Sequence, residues 1–380
     1  MNTTARSDAS SLEEVQAEDS TRDPGIARLM HRLGLGEFIA DGIDSFMGQH
    51  RNWAGRTTSG AEVLIKDLAS ARETPSPGLK RSISYERTAA ARKPPGALRS
   101  PRCLGWDTER SLIAFEYLRG RKTASALMLG GRFGPPQWHA VGLAVGDLHA
   151  FTPRPGPQCM LDTSPPAWPP LDWLEALPWP QAQESSMAQL AAWRLIQDDA
   201  ALVTALRRLR WQEGHTSAVP SHCDLRLDQI LQYHGTLHIC DWEEFRLADP
   251  ARDLGSLLGE LLFHAVLSAL SDLGADSGST PSHERILVRG TTSIRRHRPH
   301  IAAFWHGYAR TSSAPPDRAL ATRAAAFAGW HMFDRLLAGS DEQARLSPVA
   351  RAAAGIGRSL VLTPERAVSL LGPRSGQGGA

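Results

Sequence analysis

The 380-residue sequence has four cysteines, Cys103, Cys159, Cys223 and Cys240, and no two of them form a CxxC pair. That spacing offers neither a disulfide framework nor a zinc site, so the thiols are read as reduced. Charge of one sign is equally scarce. A formal net charge of +2 leaves no broad field for nucleic acid or an anionic membrane surface, and neither is expected as a partner. No run of about 18 uninterrupted apolar residues occurs, and the polar, acidic start MNTTARSDASSLEEVQAEDSTRD has no apolar core of a secretion signal. A cytoplasmic protein is expected. Neither GxGxxG nor GKS/GKT appears, which excludes the two commonest phosphate loops.

What is present is a globular composition, 42% hydrophobic and 22% charged, in a chain long enough for one large two-lobed unit. Residues 1–23 lack apolar periodicity and read as a disordered leader, and 373–380 read as a flexible tail. IARLMHRLGL has the spacing of a short amphipathic helix. The Ser59-Gly60 turn signal between WAGRTT and AEVLIKDL predicts a hairpin whose second strand carries Val63, Ile65 and Lys66. SISYERTAAARK reads as a helix bearing Glu86, and RSLIAFEYLRG as a strand. QWHAVGLAVGDLHAF then has helical spacing, with Trp138, Val141, Val145 and Leu148 on one side. Residues 152–180 are rich in Pro and Trp and predict a loop insertion. After a long helical stretch, DQILQY and TLHICDW form two short strands joined at His234-Gly235, and helices follow Leu254.

The chemistry concentrates in VPSHCDLRLDQILQYHGTLHICDWEEFRLADPARDLG, where polar residues interrupt strand-like apolar runs. Burying Asp224, Gln229 and Asp241 there is unfavourable unless they are hydrogen-bonded or hold a cation. Phosphoryl transfer asks for a carboxylate near the attacking hydroxyl, an amide or carboxylate oxygen on magnesium, and a second carboxylate bridging metal and phosphates. Asp224 and Gln229 are five apart (229 − 224), and Asp241 follows twelve later (241 − 229).

HCDLRLDQ followed by ICDWEEFRLADPARDLG resembles the aminoglycoside phosphotransferase and choline kinase superfamily, whose members carry HGDLxxxN, IDW and DPxxDL. The resemblance implies an α+β, two-lobed protein kinase-like fold: a small antiparallel-sheet N-lobe with one helix over 24–118, and a larger, mostly helical C-lobe over 119–372. It implies an ATP-dependent kinase, with GTP as an alternative donor and Mg2+ as cofactor. Asp224 would orient or deprotonate the acceptor hydroxyl, His222 would brace the loop, and Gln229 and Asp241 would coordinate magnesium. Cys223 stands where the family has glycine, and Gln229 where it has Asn. Lys66 and Glu86, twenty apart (86 − 66), match the Lys–Glu pair that fixes the Lys on the phosphates. Gly48 to Gly55, with Asn52, is the candidate phosphate cradle. Phe115 to Leu118 matches the inter-lobe hinge, where backbone groups, Glu116 and Leu118 among them, would hold the nucleobase. Asp249 and Asp253 are expected to brace the catalytic loop, with Glu243 and Glu244 at the acceptor rim.

The acceptor stays open at this point. RNWAGRTTSGAEVLIK and HCDLRLDQIL with DWEEFRLADPARDLG are similar to kinase-like proteins of class V lanthipeptide and thioamitide biosynthesis. That similarity implies Ser or Thr of a precursor peptide as acceptor, and a separate lyase-type partner that eliminates the phosphate. The alternatives are a small-molecule kinase acting on an aminoglycoside or other antibiotic, and a pseudokinase that binds without transfer.

Overall fold

The computed structural model describes residues 23–39, 43–47, 51–70, 73–92, 96–152, 161–276, 292–341 and 343–373. The expected leader (1–22), the tail (374–380) and Gly48 lie outside the described residues. Asp23, placed with the leader from sequence, belongs to the fold. Its carboxylate accepts from Gly25 N–H at 2.7 Å and caps helix α1 (Pro24–Arg32), whose Pro24 needs no N–H partner.

Strands β1 (Asp44–Met47), β2 (Arg51–Arg56) and β3 (Glu62–Asp67) precede helix α2 (Pro77–Ala91), which is followed by β4 (Cys103–Asp107) and β5 (Leu112–Glu116). All neighbours pair antiparallel in the order β1-β2-β3-β5-β4, so the predicted hairpin forms as β2–β3. Strand alternation divides the side chains between two helices. Val63, Ile65 and Ala114 pack on Ile26, Leu29 and Met30 of α1, while Leu68 and Ile113 meet Leu79 and Ile83 of α2. Lys66, one residue past Ile65, therefore faces the α2 side. The small lobe thus carries two helices, one on each face of the sheet, where the resemblance implied one.

From the hinge the chain enters β6 (Lys122–Thr123), α3 (Ala124–Leu129) and α4 (Pro135–His149). Trp138, Val141, Val145 and Leu148 of α4 are all buried, as their spacing predicts. Residues 161–178 are irregular apart from one turn of 3-10 helix at Asp172–Leu174, in keeping with a Pro-rich insertion. The helical stretch that follows splits into α5 (Trp179–Glu184), α6 (Met187–Gln197) and α7 (Ala200–Gly214), the last two capped by the Ser186 and Asp199 side chains. Next come β7 (Val219–Ser221), β8 (Ile230–Tyr233), β9 (Thr236–Ile239) and β10 (Arg246–Ala248), and then α8 (Ala251–Asp276), α9 (Arg298–Thr311), α10 (Arg318–Ala338), α11 (Pro348–Leu362) and α12 (Pro364–Leu371).

The larger core gathers α4, α8, α9 and α10. Helices α4 and α9 cross at glycines, because a Cβ on Gly142 would lie 2.1 Å from Phe304 O and one on Gly307 2.1 Å from His139 O. That close approach sets Tyr308 of α9 against His149 of α4, and His149 in turn meets Asp253 of α8. No helix among the described residues is long and apolar enough to cross a membrane.

Candidate active site

The β8–β9 hairpin turns through His234 (φ 46°) and Gly235 (φ 80°), and its register pairs Ile230 with Ile239. Gln229 is thereby set beside Cys240, whose N–H donates to Gln229 O at 3.0 Å, with Asp241 next in line. Asp241 adopts φ +75° and Cys223 φ +69°, a left-handed conformation that costs an L-residue about 1–2 kcal/mol. At Cys223 this explains why glycine suits the position. Two such residues flanking one cleft mark strain held by their surroundings.

Lys66 Nζ forms an ion pair with Asp241 Oδ1, joining the small lobe to the β9 exit. Burial works against both charges. For Asp241 the Lys66 ammonium outweighs it and holds the carboxyl down at about 2. For Lys66, Asp241 and Glu243 outweigh burial and raise the pKa, so the ammonium stays charged.

Asp224 projects from the loop after β7 and is half-buried. Burial pushes its pKa up to about 6 against the opposing Arg226 guanidinium. Gln229 Nε2 donates to Asp224 Oδ2 at 3.1 Å, while Gln229 Oε1 accepts the Arg226 backbone N–H at 2.9 Å. One amide therefore fixes both the loop and the carboxylate. His222, fully buried, sets its Nε2 2.9 Å from Cys240 O and its ring 4.6 Å from that of Trp242, tying the loop to the β9–Asp241 segment. Asp253 of α8 accepts the N–H groups of His222 (2.7 Å) and Cys223 (2.8 Å), and its Oδ2 lies 3.1 Å from His149 Nε2. Asp249 is held by Arg323 at 2.6 and 3.1 Å and accepts Ala251 N–H. Asp253 therefore braces the loop, whereas Asp249, expected to do the same, ties the start of α8 to α10. Burial and nearby Asp253 raise the Cys223 thiol well above its ordinary value, so it stays protonated and is no nucleophile.

Asp224 borders a cavity of 510 Å³ in the large lobe, walled by Trp168, Trp173, Trp193 and Trp330. The Trp168 ring sits 5.4 Å from Trp173, 6.2 Å from Trp193 and 6.4 Å from Trp330, so the insertion supplies the lid of an aromatic wall built on α6 and α10. Glu244 also lines this cavity, and Glu243 lies with Asp224 along the groove toward α2.

Two expectations need correction. Glu86 does not reach Lys66. From Leu79, which packs near the end of β3, seven residues of helix rise about 10 Å, the width of two strand spacings. Glu86 accordingly lies at β4, beside Cys103. Burial pushes its carboxyl up to about 7 and its Oε1 has no hydrogen-bond partner. The Gly48–Gly55 cradle is also largely strand: Asn52 pairs opposite Lys66 and Gly55 opposite Val63 in the β2–β3 ladder, which takes up backbone groups a phosphate loop would need. Asn52 still stands beside Lys66. At the hinge, the Glu116 carboxylate accepts Arg102 N–H at 2.9 Å and Leu118 is buried where the chain leaves β5 for β6. A contrast follows for the nucleotide. Glu86→Gln should leave ATP affinity within about twofold by calorimetry, whereas Lys66→Ala, which removes a charged hydrogen bond worth about 1.5–3 kcal/mol, should weaken it about tenfold or more.

Sequence reading missed Arg226 as part of the site, although it stands two residues after Asp224. It also missed Trp193 and Trp330, which look like ordinary helix-face aromatics until the insertion folds onto them.

The sequence profile of the APH group, described as the phosphotransferase enzyme family, matches residues 51–286 and so contains Lys66, the Asp224 loop and Asp241. No curated protein matches the chain. Among solved structures, it is similar to an amicoumacin kinase in complex with AMP-PNP, Ca2+ and Ami, at 13% identity and TM-score 0.55, covering 91% of this chain and 96% of that one. An ethanolamine kinase of Plasmodium vivax matches at 14% identity and TM-score 0.48, covering 87% and 83%. With the Lys66–Asp241 pair, the Asp224 loop and the two-lobed kinase-like fold in place, the chain belongs to the phosphotransferase enzyme family.

Proposed function

We propose that the protein transfers the γ-phosphoryl of ATP, or of GTP, with Mg2+, to a hydroxyl seated in the tryptophan-walled cavity, and that this hydroxyl is a Ser or Thr of a ribosomal precursor peptide. The observation that carries the reading is Asp224 at the border of that cavity, half-buried and oriented by Gln229. Lys66 would hold the phosphates from the small lobe. Asp241 and the side-chain carbonyl of Gln229 are hard oxygen donors suited to magnesium, with phosphates and water completing the shell. When bound there, the ion would neutralise charge on the transferring phosphoryl group, while Asp224 orients the acceptor and takes its proton.

A peptide acceptor is supported by apolar surface outside the cavity. Trp179 is 73% exposed and Met187 68%, and they flank Gln181 and Ser185, which line its edge. Apolar side chains exposed at that edge suit an extended chain that runs on past the cavity. A separate lyase-type partner would then take the Cα proton of the phosphorylated Ser or Thr and expel its phosphate, leaving a dehydroamino acid in the peptide. The second reading, a small-molecule antibiotic kinase, draws on the likeness to the amicoumacin kinase and on a cavity large enough for one drug-sized molecule. Transfer from γ-labelled ATP and GTP to Ser/Thr-rich peptides, aminoglycosides and simple alcohols decides between them. Labelled peptide, reduced about tenfold or more by Trp168→Ala, is the expected result. Label on small molecules alone would favour the second reading.

A further inference from the structure

Among the described residues, Arg226 is the arginine lining the cavity that touches Asp224. Its Nη1 lies 3.2 Å from both oxygens of Asp224, and its Nε lies 3.3 Å from Asp228 Oδ1, a residue more than half exposed. The two other arginines lining the cavity are committed elsewhere. Arg252 is buried with its Nε 2.7 Å from Glu213 Oε1, and Arg335 sits on Asp334 at 3.4 Å and near Glu260 at 3.8 Å. Lys66, the cation of the small lobe, is held by Asp241. As it stands, Asp224 has both oxygens occupied by Arg226 and one also by Gln229. Those contacts leave the carboxylate a lone pair for an acceptor hydroxyl and place the guanidinium beside the group that will take the proton.

We propose that Arg226 shifts from Asp224 onto the equatorial oxygens of the transferring phosphoryl group and is a catalytic residue of this enzyme. The inference rests on the assignment of Asp224 as the base. In the step, the acceptor oxygen bonds to Pγ while the bond from Pγ to the β,γ-bridging oxygen breaks. The hydroxyl proton goes to Asp224, and the electron pair of the broken bond stays on the diphosphate. Protonation removes the charge that holds Arg226 at Asp224 as negative charge spreads over the phosphoryl oxygens, so the guanidinium gains its new partner as it loses the old one. Asp224 must lie within about 3 Å of the reacting hydroxyl, which brings the phosphoryl oxygens within reach of a side chain already touching that carboxylate. Gln229, holding the Arg226 backbone N–H, keeps the pivot fixed.

The test needs no acceptor. Affinities for Mg–AMP-PNP and for Mg–ADP with aluminium fluoride are measured for the wild type, Arg226→Ala, Arg226→Lys and Asp224→Asn, together with slow ATP hydrolysis and thermal melting. In Arg226→Ala the aluminium fluoride complex should weaken by about 100-fold, while AMP-PNP affinity stays within about threefold and melting is unchanged. Arg226→Lys should fall between, and added guanidinium should restore part of the hydrolysis in Arg226→Ala. Equal weakening of both ligands with a lowered melting temperature, or no weakening of either, overturns the assignment and leaves Arg226 a structural partner of Asp224. If the wild type binds the aluminium fluoride complex no better than ADP, the phosphotransfer reading of the site falls first and takes this one with it.

Discussion

Asp224→Asn should lower the transfer rate about 10³-fold while nucleotide affinity stays unchanged, because positioned proton transfer contributes about 10²–10⁴. Asn matches Asp in shape and can still meet Gln229 and the acceptor, but it removes both the proton acceptor and the charge that pairs with Arg226. The pH dependence gives an independent check. Burial places Asp224 at about 6, and the base works only when ionised. The wild-type rate should therefore rise through pH 6 and level off above about 7. Protonation at lower pH silences the base while Lys66, with its raised pKa, stays charged, so nucleotide should still bind as the rate falls. In Asp224→Asn the acid limb should vanish. Single-turnover rates from pH 5 to 8, with nucleotide titrations at each pH, measure both.

How much of this was legible in the sequence depends on whether the constraint was local. The β8–β9 hairpin was, because His234-Gly235 supplies the turn and the register then carries Gln229 to Cys240 and Asp241. Lys66 was, because strand alternation puts it opposite Ile65. Asp253 was readable as a brace, since the DPARDLG wording combines a helix start with two carboxylates. Glu86 was not, because its separation from Lys66 in sequence says nothing about where α2 crosses the sheet; that crossing is set by Leu79 and Ile83 seating on Leu68 and Ile113. The Gly48–Gly55 segment misled for a related reason. Glycine content suggested a loop, but Trp53, packed on the α1 side, and the pairing to β3 make Arg51–Arg56 a ladder strand. The acceptor wall draws Trp168, Trp193 and Trp330 from three separated segments, and only tertiary packing brings them together.

The largest effect on stability is expected at Asp253, which no substrate touches. It is fully buried, accepts the backbone N–H groups of His222 and Cys223, and contacts His149, itself 3.2 Å from Tyr308 OH. Asp253→Ala leaves two backbone donors and the Nε2 of His149 without a partner in a dry core, each costing about 1–3 kcal/mol, so a loss of about 3–5 kcal/mol is expected from urea unfolding at pH 7. The loop carrying Asp224 would be released with it, and transfer should fall even where the variant remains folded. Linkage predicts the pH behaviour. Burial would raise the Asp253 pKa, but His149 and the His222 N–H outweigh it and hold it below the usual carboxylate value. A lowered folded-state pKa gives stability that is present above the unfolded value of about 4 and lost as pH falls through the folded one. The gap in unfolding free energy between wild type and Asp253→Ala should therefore be full at pH 7 and narrow as acid is added below pH 4. A gap that stayed constant down to pH 2 would mean that the ionised carboxylate is not what holds the catalytic loop.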